Sequence, residues 1–150
     1  MESRMNELLF SYASTLILPA WVLLIVSPLM PRISQAVASI IVPTVLSVAY
    51  AVLIMTNWAG APGGFDSLAN VMELFTVPEL ALAGWLHYLA FDLFVGAWIV
   101  HDAARRGIPH WWVVPCLPVT LVFGPAGFAL YLLIRASRGI SFIPRMLQRV

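Results

Sequence analysis

Lysine is missing altogether: the eight basic residues are all arginine. That absence excludes a retinal or pyridoxal Schiff base and the lysine of a phosphate-binding P-loop. Cysteine is nearly absent too. The single Cys116 allows no internal disulfide and no C-x-x-C redox pair. Charge of either sign is scarce, at 10% of residues against the roughly 25% of a soluble domain. A net charge of +1 gives nucleic acid no electrostatic hold, so no nucleic-acid partner is expected. What is abundant is apolar: 61% of residues are hydrophobic, and the mean hydropathy is +0.92. A chain of this kind has too much apolar surface to stay disordered in water. The class it fits is a small integral membrane protein.

A membrane helix needs ~20 apolar residues to cross ~30 Å of hydrocarbon. Four stretches qualify, at about 8–29, 36–56, 80–100 and 111–134. The expected fold is therefore all-α: an integral membrane four-helix bundle with short interfacial helices, forming a single transmembrane domain. The apolar part of the first stretch is too long for a signal peptide, and Glu2 and Glu7 spoil a positive leading region. Four crossings put both termini on one side, with Arg4, Arg135, Arg138, Arg145 and Arg149. The other side receives Arg32, Arg105 and Arg106. The positive-inside rule then favours cytoplasmic termini.

Two segments between and after the spans read as surface helices. Trp58 to Gly64 is a Gly/Pro turn, and Asp66 is placed to cap a short helix behind it. On that helix Phe65, Leu68, Met72 and Phe75 share one side. In the tail Ser141 to Val150, Phe142, Ile143, Met146 and Leu147 share one face and Arg145 and Arg149 fall on another, the pattern of a basic membrane-surface helix.

Several prolines fall inside the spans, and each frees the carbonyl four residues earlier. Pro19 frees Thr15, Pro43 frees Ser39 and Pro125 frees Leu121. The run Phe123-Gly-Pro-Ala-Gly127 should break or bend the fourth helix. Such a break can aim carbonyls at a polar group, or it can let helices pack closely through Gly124 and Gly127.

The third span holds the residues most able to do chemistry. Asp92 sits near its middle, where a charged carboxylate costs ~2.5–3.5 kcal/mol to insert. At ~100° per residue, Trp85, Tyr88, Asp92, Val95 and Gly96 share a face that should look into the bundle. His87 is offset from Asp92 by ~140°. His87 and His101 are ~21 Å apart along the axis, too far for one monomer to ligate a haem with both. No metal site, Ser–His–Asp arrangement or phosphate loop is expected, and no cofactor. What remains is acid–base chemistry on a lipid-soluble substrate. A carboxyl shielded from water can carry a proton and deliver it, and a neutral imidazole can accept one. The plainer alternative is that Asp92 bonds to Ser, Thr or Tyr of a neighbouring helix as polar glue.

The same residues carry a resemblance. The stretch Trp85-Leu-His-Tyr-Leu-Ala-Phe-Asp-Leu-Phe-Val-Gly-Ala-Trp98, then Asp102-Ala-Ala-Arg-Arg-Gly-Ile-Pro-His110, then Phe123-Gly-Pro-Ala-Gly127 resembles the abscisic-acid-deficient-four-like family. That family consists of small membrane proteins with four predicted spans, and its plant members are implicated in neoxanthin synthesis. The resemblance implies a carotenoid or related isoprenoid as ligand. It also implies an isomerase that turns an epoxide into an allenic alcohol without net oxidation. The epoxide oxygen gains a proton and a neighbouring carbon loses one. On that reading Asp92 is the proton donor and His87 the base. Trp85, Tyr88, Phe91, Gly96 and Trp98 form the substrate surface. The alternative is a carotenoid- or lipid-binding accessory protein without catalysis. The chain opens at a membrane span rather than at a Ser- and Arg-rich transit segment, the pattern expected of a bacterial member in the inner membrane. Lipid is the expected surrounding partner, and a homo-oligomer is compatible with the composition.

Overall fold

In hydrocarbon every backbone N–H and C=O must find its partner inside the protein, so the apolar stretches have little choice but to be helical. The computed structural model describes residues 2–138 and bears this out. Helix α1 spans Glu2–Ile25 and runs through Pro19. Helix α2, Pro31–Ala36, leads through a π turn at Val37–Ile41 into α3, Val42–Asn57. Next come the short α4, Leu68–Leu74, and the long α5, Pro78–Arg105. The chain then forms α6, His110–Val113, α7, Cys116–Phe123, and α8, Pro125–Ser137. The surface helix expected at Ser141–Val150 lies outside the described residues.

The π turn answers the demand that Pro43 creates. Proline removes the donor that would have met the Ser39 carbonyl. The ladder widens there by one residue, and Val42 N–H bonds back to the Val37 carbonyl.

α5 is the post around which the rest is arranged. α1 runs beside it in the same direction. Asn6 Nδ2 donates to Glu79 Oε1 at 2.7 Å near the start of both helices, and Trp85 Nε1 donates to Ser14 Oγ at 3.0 Å lower down. The Trp21 ring packs on bare Gly96. α3 runs the opposite way, with Tyr50 packed on His87 at 5.7 Å and Pro43 level with Phe91 and Phe94. Lipid and Leu are equally apolar, so helices in a membrane gain most from close approach. Small buried residues such as Ala13, Ala20, Ala38, Ala83, Ala90 and Ala97 permit it. Bulkier Val48, Val52 and Met55 are exposed on the outside of α3.

Three helical stretches are long and apolar enough to cross a membrane: Arg4–Ile25, Pro31–Asn57 and Pro78–Arg105. The fourth apolar stretch does not form the single span expected at 111–134. It is cut at Gly124, whose φ of +46° no helix accepts, and Pro125 starts a new helix. The two halves fold back on each other. A Cβ on Gly127 would collide with the hydroxyl and backbone of Thr120. Contacts along α5 show the path. The chain leaves its end with Ile108 N–H on the Ala103 carbonyl, and α7 climbs until Leu121 meets Tyr88 and Gly124 meets Asp92. α8 then returns, with Phe128 and Tyr131 on Trp98 and Arg135 on Asp102. The fourth stretch is thus a hairpin whose two ends lie together at the Arg105 end of α5. Three crossings plus a hairpin place Glu2 and Arg138 at opposite ends, not on the shared side that four crossings require.

α4 differs in one detail from expectation. Its N-cap is Ser67, which accepts from Asn70 N–H at 3.2 Å, not Asp66. Asp66 accepts instead from the Asn70 side-chain amide at 2.8 Å. That bond holds its carboxyl below the usual range. Phe65, Leu68, Met72 and Phe75 are all exposed, the arrangement of an anchoring surface helix.

Candidate functional site

The tip of the hairpin is aimed at the middle of α5. Asp92 lies fourteen residues into a 28-residue helix, so the meeting point is ~21 Å from either end. The Asp92 side chain is buried at 8% exposure, and its Oδ2 has no hydrogen-bond partner among the described residues. Glycine at 124 is required twice over. Its φ is positive, and a Cβ there would stand 2.8 Å from Asp92 Oδ1. The carboxyl therefore rests against the backbone at the N-cap of α8. A helix N-terminus carries partial positive charge and favours an anion beside it.

Tyr88, one turn before Asp92, ties the same place together. Its hydroxyl donates to the Leu121 carbonyl at 2.9 Å and neighbours the Asp92 carboxyl. Leu121 is the carbonyl that Pro125 strips of its helical donor. The break in the fourth stretch and the tyrosine on the third are thus two halves of one arrangement.

The other expected site residues disperse around α5. His87 is exposed on the outer face, stacked on Phe91 at 4.4 Å. Phe91 is 57% exposed. The structure does not bring His87 and Asp92 together: the body of α5 stands between them. Trp85 turns toward α1, between Phe10 and Tyr88, each at 5.3 Å. Gly96 also serves α1, as the seat of Trp21. Trp98 packs edge-on against Phe128 and Tyr131 of α8. Only Tyr88 accompanies Asp92 at the hairpin tip.

Sequence reading missed the cluster at the base of the hairpin. Asp102 accepts from Arg106 Nε at 2.8 Å, from the Tyr131 hydroxyl at 2.6 Å and from Arg135 Nη1 at 3.3 Å. Arg135 is 4% exposed, so it is a buried structural cation and not a headgroup arginine. The signal was present. Asp102–Arg106 and Tyr131–Arg135 are both i,i+4 pairs, each on one helix face.

Three cavities are lined by described residues elsewhere. One of about 400 Å³ lies between α1, α3 and α5 and is almost wholly apolar, with Leu9, Leu16, Val45, Leu46 and Leu86 in its wall. A second, of about 310 Å³, sits at the opposite end of α5 and holds His101 and His110. The third, of about 250 Å³, is the shallow site beside Phe91 and Phe94. No group of three or more His, Cys, Asp or Glu side chains among the described residues could hold a metal ion.

Neither a curated protein nor a solved structure is significantly similar to this chain. A family model described as ABA DEFICIENT 4-like matches residues 8–131. The match runs from α1 into α8 and takes in Tyr88, Asp92 and the Gly124 break. On that match the chain is an all-helical membrane protein that belongs to the ABA DEFICIENT 4-like family.

Proposed function

We propose that the protein isomerises a carotenoid or related isoprenoid epoxide inside the membrane, with Asp92 as the group that moves the proton. The observation that supports this most is Asp92 itself. A carboxyl buried at mid-membrane is costly, and here one oxygen has no partner among the described residues. A carboxyl serving only as polar glue would be expected to use both oxygens.

One carboxyl is enough to balance the reaction. Asp92 gives its proton to the epoxide oxygen as a C–O bond opens. The carboxylate left behind takes a proton from the neighbouring carbon, whose C–H electrons form the new double bond. The acid is restored, the substrate is isomerised, and no electrons are gained or lost overall. While Asp92 is charged, the α8 N-cap is the stabilising partner, and the Tyr88 hydroxyl joins it by turning its one proton from the Leu121 carbonyl to the carboxylate. His87 has no part in this version, because it stays on the other flank of α5.

Expression in hosts that accumulate different carotenoid epoxides, with pigments compared by chromatography, tests the reading. A new isomeric pigment is expected with the natural chain, and none with Asp92→Asn at equal protein level and equal helicity. An unchanged profile in every epoxide-bearing host rules it out. The second reading is a carotenoid- or lipid-holding protein, favoured by the apolar cavity between α1, α3 and α5. It predicts a pigment that copurifies unaltered and is retained by Asp92→Asn.

A further inference from the structure

The cavity at the hairpin-entry end of α5 has a different chemistry from the site at Asp92. Ser27, Ser34, Gln35, His101 and His110 supply its polar wall, and Pro28, Val100 and Ile108 are among its apolar residues. The chain brings them from four places: the end of α1, α2, the last turns of α5 and the start of α6. His110 is fixed there by a 2.8 Å contact between its Nε2 and the Ile25 carbonyl. Gln35 is turned along its helix, with Nε2 on Ser39 Oγ at 3.2 Å.

Ser34 is the informative member. It is 1% exposed, it lines the cavity, and its Oγ has no partner among the described residues. A buried hydroxyl left unpaired is destabilising, and a ligand oxygen that bonds to it recovers the loss. The lining contains no Asp, Glu, Lys or Arg, and its two imidazoles are its only ionisable groups, so an ionic head would enter without a permanent counter-charge. The depth also matters. Val100 to Ala104 lie in the last turns of α5, just before Arg105 and Arg106. That is the level where hydrocarbon meets headgroups, and where the oxygenated end of a greasy molecule settles. A space of about 310 Å³ accommodates a ring rather than a whole lipid.

We propose that this cavity seats the uncharged, oxygen-bearing ring at the end of an isoprenoid molecule, with a hydroxyl or carbonyl oxygen bonded to Ser34. The isoprenoid class rests on the function proposed above; the demand for an uncharged oxygen rests on the cavity alone. Ser34 can donate to either kind of oxygen and can accept from a hydroxyl. The site is separate from Asp92, so binding here and proton transfer there can be measured apart.

The test uses the full chain in lipid nanodiscs, titrated with β-carotene, zeaxanthin and ubiquinone while tryptophan fluorescence is followed. β-Carotene and zeaxanthin differ only in the ring hydroxyls. Binding of an oxygenated probe about tenfold tighter than β-carotene is expected. Ser34→Ala should bring that preference down to about twofold or less, and Ser34→Thr, which keeps the oxygen, should restore much of it. Zeaxanthin winning assigns the hydroxyl source; ubiquinone winning assigns the carbonyl source. Equal binding of all three, or a preference indifferent to Ser34→Ala at unchanged helicity, overturns the proposal. Asp92→Asn should leave the preference intact. Ser34-dependent binding without turnover in any host refutes the isomerase alone. Turnover with Ser34-indifferent binding refutes this site alone.

Discussion

At the scale of single residues, Gly124 and Asp92 are a coupled pair. Gly124→Ala forces a side chain into a positive-φ position and drives a methyl against the Asp92 carboxyl. The two effects together should cost about 2 kcal/mol of stability. Thermal unfolding in detergent reads the loss. In the double variant with Asp92→Ala, the clash disappears and only the backbone term stays, so the losses should be less than additive. Strict additivity would mean that the carboxyl does not rest where Gly124 makes room for it. The pair also shows what a sequence can and cannot yield. Asp92 stands out by itself, because a carboxylate in an apolar run is expensive wherever it points. Gly124 reads only as a helix breaker. That its missing side chain serves Asp92, thirty-two positions earlier, is a fact of tertiary contact.

At the scale of elements, the hairpin is held at both ends by α5. Its tip has the Tyr88–Leu121 bond, and its base has Asp102 shared by Arg106, Tyr131 and Arg135. Half-helices at membrane depth persist only where protein shields their broken backbone. Loosening the base should therefore free α8 before anything else. Asp102→Ala removes the carboxylate from a mostly buried ion cluster, a change that costs about 3 kcal/mol in comparable settings. Hydrogen exchange should accelerate across Pro125–Ser137 while Glu2–Ile25 keeps its protection. Equal acceleration in both would show that the cluster supports the whole bundle and not the hairpin in particular. The proline pattern made a break in the fourth stretch legible beforehand. The direction taken after the break was not, since a bend, a kink and a full reversal all satisfy the same Gly-Pro sequence.

At the scale of the whole molecule, the hairpin changes the arithmetic of orientation. With three crossings, the end that holds Glu2 and the loop before α5 has one arginine among the described residues, Arg4. The opposite end has Arg32, Arg105, Arg106 and Arg138, with Arg135 buried nearby. The positive-inside rule then predicts Arg138 in the cytoplasm and the N-terminus outside. Fluorescent-protein fusions at the C-terminus should glow, and alkaline-phosphatase fusions after Gly60 should be active. The reverse pattern would refute this orientation, and reporters showing both termini on one side would refute the hairpin. The amino-acid sequence by itself determined that the chain lives in lipid, that it is helical, where three of its apolar spans lie and that one carboxyl is buried among them. These follow from composition and from the cost of bare backbone or charge in hydrocarbon, which act locally. Only the tertiary structure decided that the last apolar stretch turns back at mid-depth, that its tip lands on Asp92, and that Arg135 is an internal partner. Those outcomes depend on which side chains from distant segments fit together, and hydropathy has no term for that.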